Sequence, residues 1–212
     1  MDGLTRKQRT EAKLKSVGVP VNDWLPRTTD ESEVGLRPAR EVARRIMALC
    51  AVGAVASGLP RTEVDGWLEA EGLWSALSPL EAEFLRADNP SPEEEAAFSW
   101  RLEAMWPLLW CLGLVRELGW PGDECDVRHM ISLIPEFGEP TGPFVERAAL
   151  RPLPEILDES DLIFRIHWAV REQQLKRRAP LPGLHPAVVY QRHYALNWVT
   201  GDEPWDEVNT ST

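Results

Sequence analysis

Residues 154–178 read PEILDESDLIFRIHWAVREQQLKRR. Apolar side chains recur there at helical spacing. On a wheel of roughly 100° per residue, Leu162, Ile163, Ile166, Ala169 and Val170 form one broad arc with His167 at its edge. An arc this wide belongs to a helix packed on more than one side. Glu155, Asp158, Glu159 and Asp161 come early, while Arg171, Lys176, Arg177 and Arg178 come late, an order that complements the helix dipole. Opposite the arc, Asp161, Arg165, Trp168 and Glu172 line one stripe. Two readings of that stripe stand: ordinary ion pairs on a solvated face, or an acid–base–aromatic surface that grips a ligand.

Outward from this helix, the chain carries further helical signals. A loop with Pro180, Pro182 and Pro186 leads into a last helix over 186–200. Upstream, Thr5 to Gln8, Ser78 to Glu81 and Ser91 to Glu94 match the capping box, in which a hydroxyl accepts from the third helical N–H and the acid or amide reaches back. Pro79 and Pro92 stand at the first helical position, where no N–H is needed. These signals predict a basic first helix over 5–16, core helices over 38–57, 91–118, 154–178 and 186–200, and shorter ones over 62–71 and 78–87. Pro107 is expected to kink or break the helix at 91–118. Residues 120–154 are rich in Gly and Pro and read as irregular, with one short helix near 126–133. No β-branched alternation, internal repeat or low-complexity tract is present. The fold class expected is all-α, a single compact multi-helix bundle over residues 1–212.

Composition bounds the function. The chain has 212 residues, with 23 Lys plus Arg against 34 Asp plus Glu and a formal net charge of −11. That argues against a nucleic-acid binder that works by neutralising phosphates. Hydrophobic residues make up 43%, too many for a disordered acidic chain. The N-terminal sixteen residues are charged and polar rather than a secretory leader, so a cytoplasmic location is expected. The apolar run Ile46–Pro60 falls short of the ~20 residues that span a bilayer, so no membrane association is expected. Acidic side chains crowd residues 61–99 and 202–207, either as a solvated surface or as a face for a basic partner.

Few residues carry recognisable chemistry. In the last helix Val188, Val189, Ala195, Leu196 and Val199 form the apolar face, and Arg192 projects from its middle. A cation there must be paired, because burying it alone is costly. On the flank, Tyr190, His193 and Asn197 stack along one side. They form either a buried polar network or a ligand or proton-transfer site with His193 as base. Ten Trp is several times ordinary usage, and Trp100, Trp106 and Trp110 lie close together, as core packing or as a stacking pocket. Cys50 and Cys111 sit in apolar runs as small core residues. No metal motif, phosphate loop, nucleophile elbow or dinucleotide fingerprint occurs, so neither metal nor cofactor is expected.

Four pieces of the chain carry a resemblance. They are Trp100–Ala104 running into Leu108–Gly113, Glu155–Asp158 with Asp161 and Leu162, Arg165–Ala169, and Gln191–Trp198 followed by Trp205 and Asp206. In this order and spacing they resemble a bacterial family known as domain of unknown function 4272. The resemblance implies a cytoplasmic, mainly helical bacterial protein of about this size, and it implies no activity. This chain departs from the family pattern in having Gln191 where members usually have Glu, Asn209-Thr210 where they have Asp-Thr, and Pro107 in the tryptophan-rich helix.

The physical reading and the resemblance share Arg101, Glu103, Asp161, Arg165, His167, Arg192, His193 and Asn197. These are expected to converge between the three main helices, with Glu103 or Asp161 neutralising Arg192, as a structural lock or a site. The function expected is that of a non-enzymatic acidic protein that binds a basic partner protein, as an adaptor or an immunity-like antagonist. The alternative is a small-molecule-binding protein or enzyme that uses a His/Arg/Asn pocket on the C-terminal helices.

Overall fold

The computed structural model describes residues 1–212. Ten α-helices follow in order: α1 Gly3–Ser16, α2 Ala39–Ala56, α3 Arg61–Ala70, α4 Pro79–Arg86, α5 Pro92–Ser99, α6 Leu102–Cys111, α7 Val127–Ile131, α8 Gly142–Arg147, α9 Leu153–Leu175 and α10 Pro186–Thr200. Short 3₁₀ turns lie at Glu31–Glu33, Trp74–Ala76 and Trp205–Glu207, and there is no strand. The all-α class expected from the sequence is the fold. No helix is long and apolar enough to cross a membrane.

α10 lies between α9 and α6, α6 crosses α2, and α1 packs along α9. One apolar cluster runs through these helices from Leu14 to Trp205. α2 is its centre, with every residue from Val42 to Val55 buried except Arg44 and Ala54. Gly53 lets α6 come this close, since a Cβ there would sit 2.2 Å from Leu102 Cδ2.

Both Ser-Pro helix starts have the geometry their sequence predicts. Ser78 caps α4 and Ser91 caps α5, each in a full capping box with Glu81 or Glu94. The first helix differs: Asp2, not Thr5, is its cap, and the Asp2 carboxylate accepts from both the N–H and the hydroxyl of Thr5. The Asp2 carboxylate, three residues upstream, caps the Thr5 N–H and also takes the Thr5 hydroxyl, which as a cap would have accepted from the Gln8 N–H, so the helix starts at Gly3.

The helix expected over 91–118 is two shorter ones. The break falls at Trp100 and Arg101, nearly two turns before Pro107, where Arg101, Glu103 and Ala104 donate to carbonyls only three residues back. Pro107 lies inside α6, so the helix breaks upstream of the proline rather than at it; the carbonyl that lacks its donor there is that of Glu103, four residues back. α6 then stops at Gly113, whose φ of +74° supports a Schellman closure: Gly113 N–H donates to Trp110 and Leu114 N–H to Leu109. α9 likewise ends at Leu175 rather than Arg178. Arg177 takes the left-handed position (φ +50°), and Arg178 N–H closes on Gln173. The segment expected to be irregular contains α7 and also an unexpected short helix, α8.

Candidate functional site

The eight polar residues singled out in the sequence do not meet at one point. Arg101 belongs to a clamp around Glu81, which is fully buried and pairs with Arg45 and, at 2.8 Å, with Arg101. Burial opposes ionisation of Glu81, but Arg45, Arg101 and the Ser78 N–H outweigh it and hold its carboxyl below the usual range. The acid of the α4 capping box thus also anchors α2 and the start of α6.

Asp161 and Arg165 form a second clamp. Arg165 donates to both Asp161 oxygens at 2.8 and 3.0 Å, to the Pro26 carbonyl at 3.1 Å and to Glu11 at 3.5 Å. Both side chains are buried beneath α1 and the strap that follows it. The stripe is therefore neither a solvated face nor an open ligand surface at these two positions. Asp161 is committed to Arg165 and is not the partner of Arg192.

His167 and His193 pair with each other, Nδ1 to Nδ1 at 2.8 Å, between Phe164 and Tyr190. Asn197 turns to the C-terminal tail, where its Nδ2 donates to the Asn209 carbonyl at 2.8 Å. Of the three polar groups on the α10 flank, Tyr190 and His193 thus meet the same His167, and Asn197 serves a separate contact. The tryptophans separate too: Trp100 stacks on His185, Trp106 donates to the Leu118 carbonyl, and Trp110 lies under the Arg151 guanidinium.

Arg192 is different. It is only 4% exposed, yet it has no ion-pair partner within 4 Å. Its Nη1 donates to the Gly119 carbonyl at 2.7 Å, and its Nε is buried with no hydrogen bond. Burial lowers its pKa, and Glu103 and Glu159 nearby work in the opposite direction. Glu103 accepts the Cys125 N–H on one oxygen at 2.7 Å and leaves the other buried and unpartnered. Glu103 thus balances Arg192 through space rather than by contact.

Arg192 lines a cleft of about 500 Å³ between α1, α9, α10 and the 116–121 segment. One wall is a continuous stripe of α9, acidic at Glu155, Asp158 and Glu159 and apolar at Leu162, Ile163 and Ile166. Lys13 of α1 faces it, and Trp110, Leu118 and Trp120 complete the sides. Glu159 is half-buried, and burial raises its pKa against the pull of Lys13 and Arg192. A volume of this size with a few convergent polar groups is what small-ligand sites need.

A family model, Domain of unknown function (DUF4272), matches residues 6–208. The chain belongs to the DUF4272 family. No curated protein and no solved structure matches it.

In this DUF4272 protein the cleft contains one of the eight residues chosen from sequence, Arg192. In the sequence Glu159 reads only as an early acid of its helix, and Lys13 only as one charge of the basic first helix. The spacing of Glu155, Asp158, Glu159, Leu162, Ile163 and Ile166 was a readable signal, because positions three, four and seven apart share one helix face. Gly119, which holds the guanidinium, carries no signal of that kind. No group of three His, Cys, Asp or Glu side chains is arranged to hold a metal.

Proposed function

We propose that this protein binds a small organic anion, a carboxylate or a phosphate, on Arg192 in the α1–α9–α10 cleft. The observation that carries this reading is a guanidinium 96% removed from solvent, with no carboxylate in contact and an unpartnered Nε, at the wall of a ligand-sized cleft. Burying such a charge costs several kcal/mol without a partner, and a bound anion supplies one. The lining holds no Cys, Ser, Thr, His or Tyr, which favours binding over nucleophilic chemistry.

Calorimetric titration with acetate, glutarate and inorganic phosphate tests this on wild type, Arg192→Lys and Arg192→Met. At least one anion is expected to bind wild type, with a loss of about 30-fold or more in Arg192→Met, as for a buried charged hydrogen bond. Equal affinity in wild type and a folded Arg192→Met protein overturns the reading.

A second reading, capture of a partner protein, has its own support in Trp24. This side chain is 94% exposed on a turn that is held rather than loose. The Trp24 backbone N–H donates to the Asn22 side-chain Oδ1, and Lys7 bridges the Asp23 and Leu25 carbonyls at 2.6 and 2.5 Å. A rigidly presented Trp is the usual form of an interface anchor. A purified basic partner whose affinity drops with Trp24→Ala and falls steeply with ionic strength carries this reading, and an affinity flat with salt ends it.

A further inference from the structure

Which anion fits follows from the charges around the cleft. Its lining has four cations (Lys13, Arg116, Arg151, Arg192) and four acids (Glu117, Glu155, Asp158, Glu159). Most of them are engaged within the protein. Arg151 pairs with Glu155 at 3.2 Å, Arg116 with Glu117 at 3.7 Å, and Asp158 with Arg6 at 3.0 Å and with Arg9. Arg151 also donates to the Trp110, Val115 and Arg116 carbonyls, which fixes it as a strut.

Three charged groups of the lining remain without an ion pair within 4 Å: Lys13, Arg192 and Glu159. All three line the same cleft, from α1, α10 and α9 respectively, and both cations favour the charged form of Glu159. We infer that the ligand is an acidic α-amino acid or a close relative, with carboxylates facing Arg192 and Lys13 and an ammonium facing Glu159. The inference rests on the anion-binding reading and specifies its ligand. A plain dicarboxylate would satisfy the cations but set like charge against Glu159. A plain amine would satisfy Glu159 and leave two cations facing it. Only a molecule with two negative groups and one positive group complements all three, and one of five or six carbons sits comfortably in about 500 Å³. Leu118, Leu162 and Ile163 offer the apolar wall for its methylenes.

The test uses L-glutamate, glutarate, which lacks the amine, and 4-aminobutyrate, which lacks the α-carboxylate. Each is titrated calorimetrically into wild type, Glu159→Gln and Arg192→Lys, with helical circular dichroism to verify folding. Glu159 makes no hydrogen bond in the protein, so Glu159→Gln is expected to fold. L-Glutamate is expected to bind wild type about tenfold or more tightly than either analogue. Glu159→Gln is expected to erase the preference over glutarate, and Arg192→Lys to weaken both dicarboxylates. Glutarate or 4-aminobutyrate binding as tightly as L-glutamate, or a preference unchanged in Glu159→Gln, overturns this inference while leaving an Arg192-dependent anion site standing. Failure of all three and of inorganic phosphate to bind overturns both.

Discussion

His167 of α9 and His193 of α10 share a single hydrogen bond between their Nδ1 atoms, 2.8 Å apart and buried. One ring must donate from Nδ1 and the other accept there, so the two hold opposite tautomers, and the acceptor must be neutral. A proton added to the acceptor's Nδ1 would face the donor's Nδ1–H across that distance, with no carboxylate in contact to offset it.

That arrangement predicts acid sensitivity. Burial pushes His167 down to about 4 and His193 to about 3. Both lie below the ~6.5 of an unfolded histidine. The stability contributed by keeping them neutral is therefore complete above about pH 6.5 and is lost as pH falls toward 4. Each adds about 1.4 kcal/mol per pH unit to the slope across that window. Urea midpoints measured from pH 7.5 to pH 5 should fall in wild type and much less in His167→Leu/His193→Leu, which leaves neither nitrogen behind. An equal slope in the double variant would remove the histidines from the explanation.

The Asp161–Arg165 clamp predicts a different loss. Arg165 ties α9 to α1 and to the Pro26 carbonyl with almost no access to water. Asp161→Ala should cost about 3–5 kcal/mol in denaturant unfolding at neutral pH, because it leaves a buried guanidinium with the Pro26 carbonyl and, as its one counter-charge, Glu11 at 3.5 Å. Asp161→Ala/Arg165→Met should recover a large part of that. A single variant within about 1 kcal/mol of wild type would show that water reaches the clamp.

How much of this was legible depended on the range of the interaction. The starts of α4, α5 and α10 are written in three or four consecutive residues, and the structure has them there. The Gly113 stop was equally local, but the apolar run past it masked the signal. The Asp2 cap was obscured because Thr5 offers a second motif three residues on. The site was legible only in part. Arg192 stood out as a cation on an apolar face, whereas its carbonyl partner Gly119 is 73 residues away. The His167–His193 pair spans 26 residues on two helices. No periodicity within one helix encodes which neighbour a flank will meet.

Arg192 and Arg165 should respond oppositely to removal, although both are buried. Arg192 has no ion pair to break, and an unpartnered Nε adds to the cost of burying it. Arg192→Met is expected to leave unfolding stability unchanged or raise it by about 1 kcal/mol, the pattern of a residue kept for a purpose other than stability. Denaturant unfolding followed by tryptophan fluorescence and by helical dichroism measures this. A loss of about 3 kcal/mol or more would make the through-space balance with Glu103 a structural lock.

Gly53 provides a test of the α2–α6 crossing that is independent of any charge. A Cβ at this position would lie 2.2 Å from Leu102 Cδ2 and 2.4 Å from Cγ, well inside contact distance. Alanine favours a helix interior over glycine by roughly 1 kcal/mol, so the local preference and the packing oppose each other. Because the obstruction is a branched side chain close to its own backbone, packing should win, and Gly53→Ala should destabilise by about 1–3 kcal/mol. Adding Leu102→Ala opens the space and should restore much of the difference, giving a clear coupling energy in a double-mutant cycle. If Gly53→Ala instead stabilises the protein, Leu102 swings aside at little cost and the crossing is looser than the distances imply.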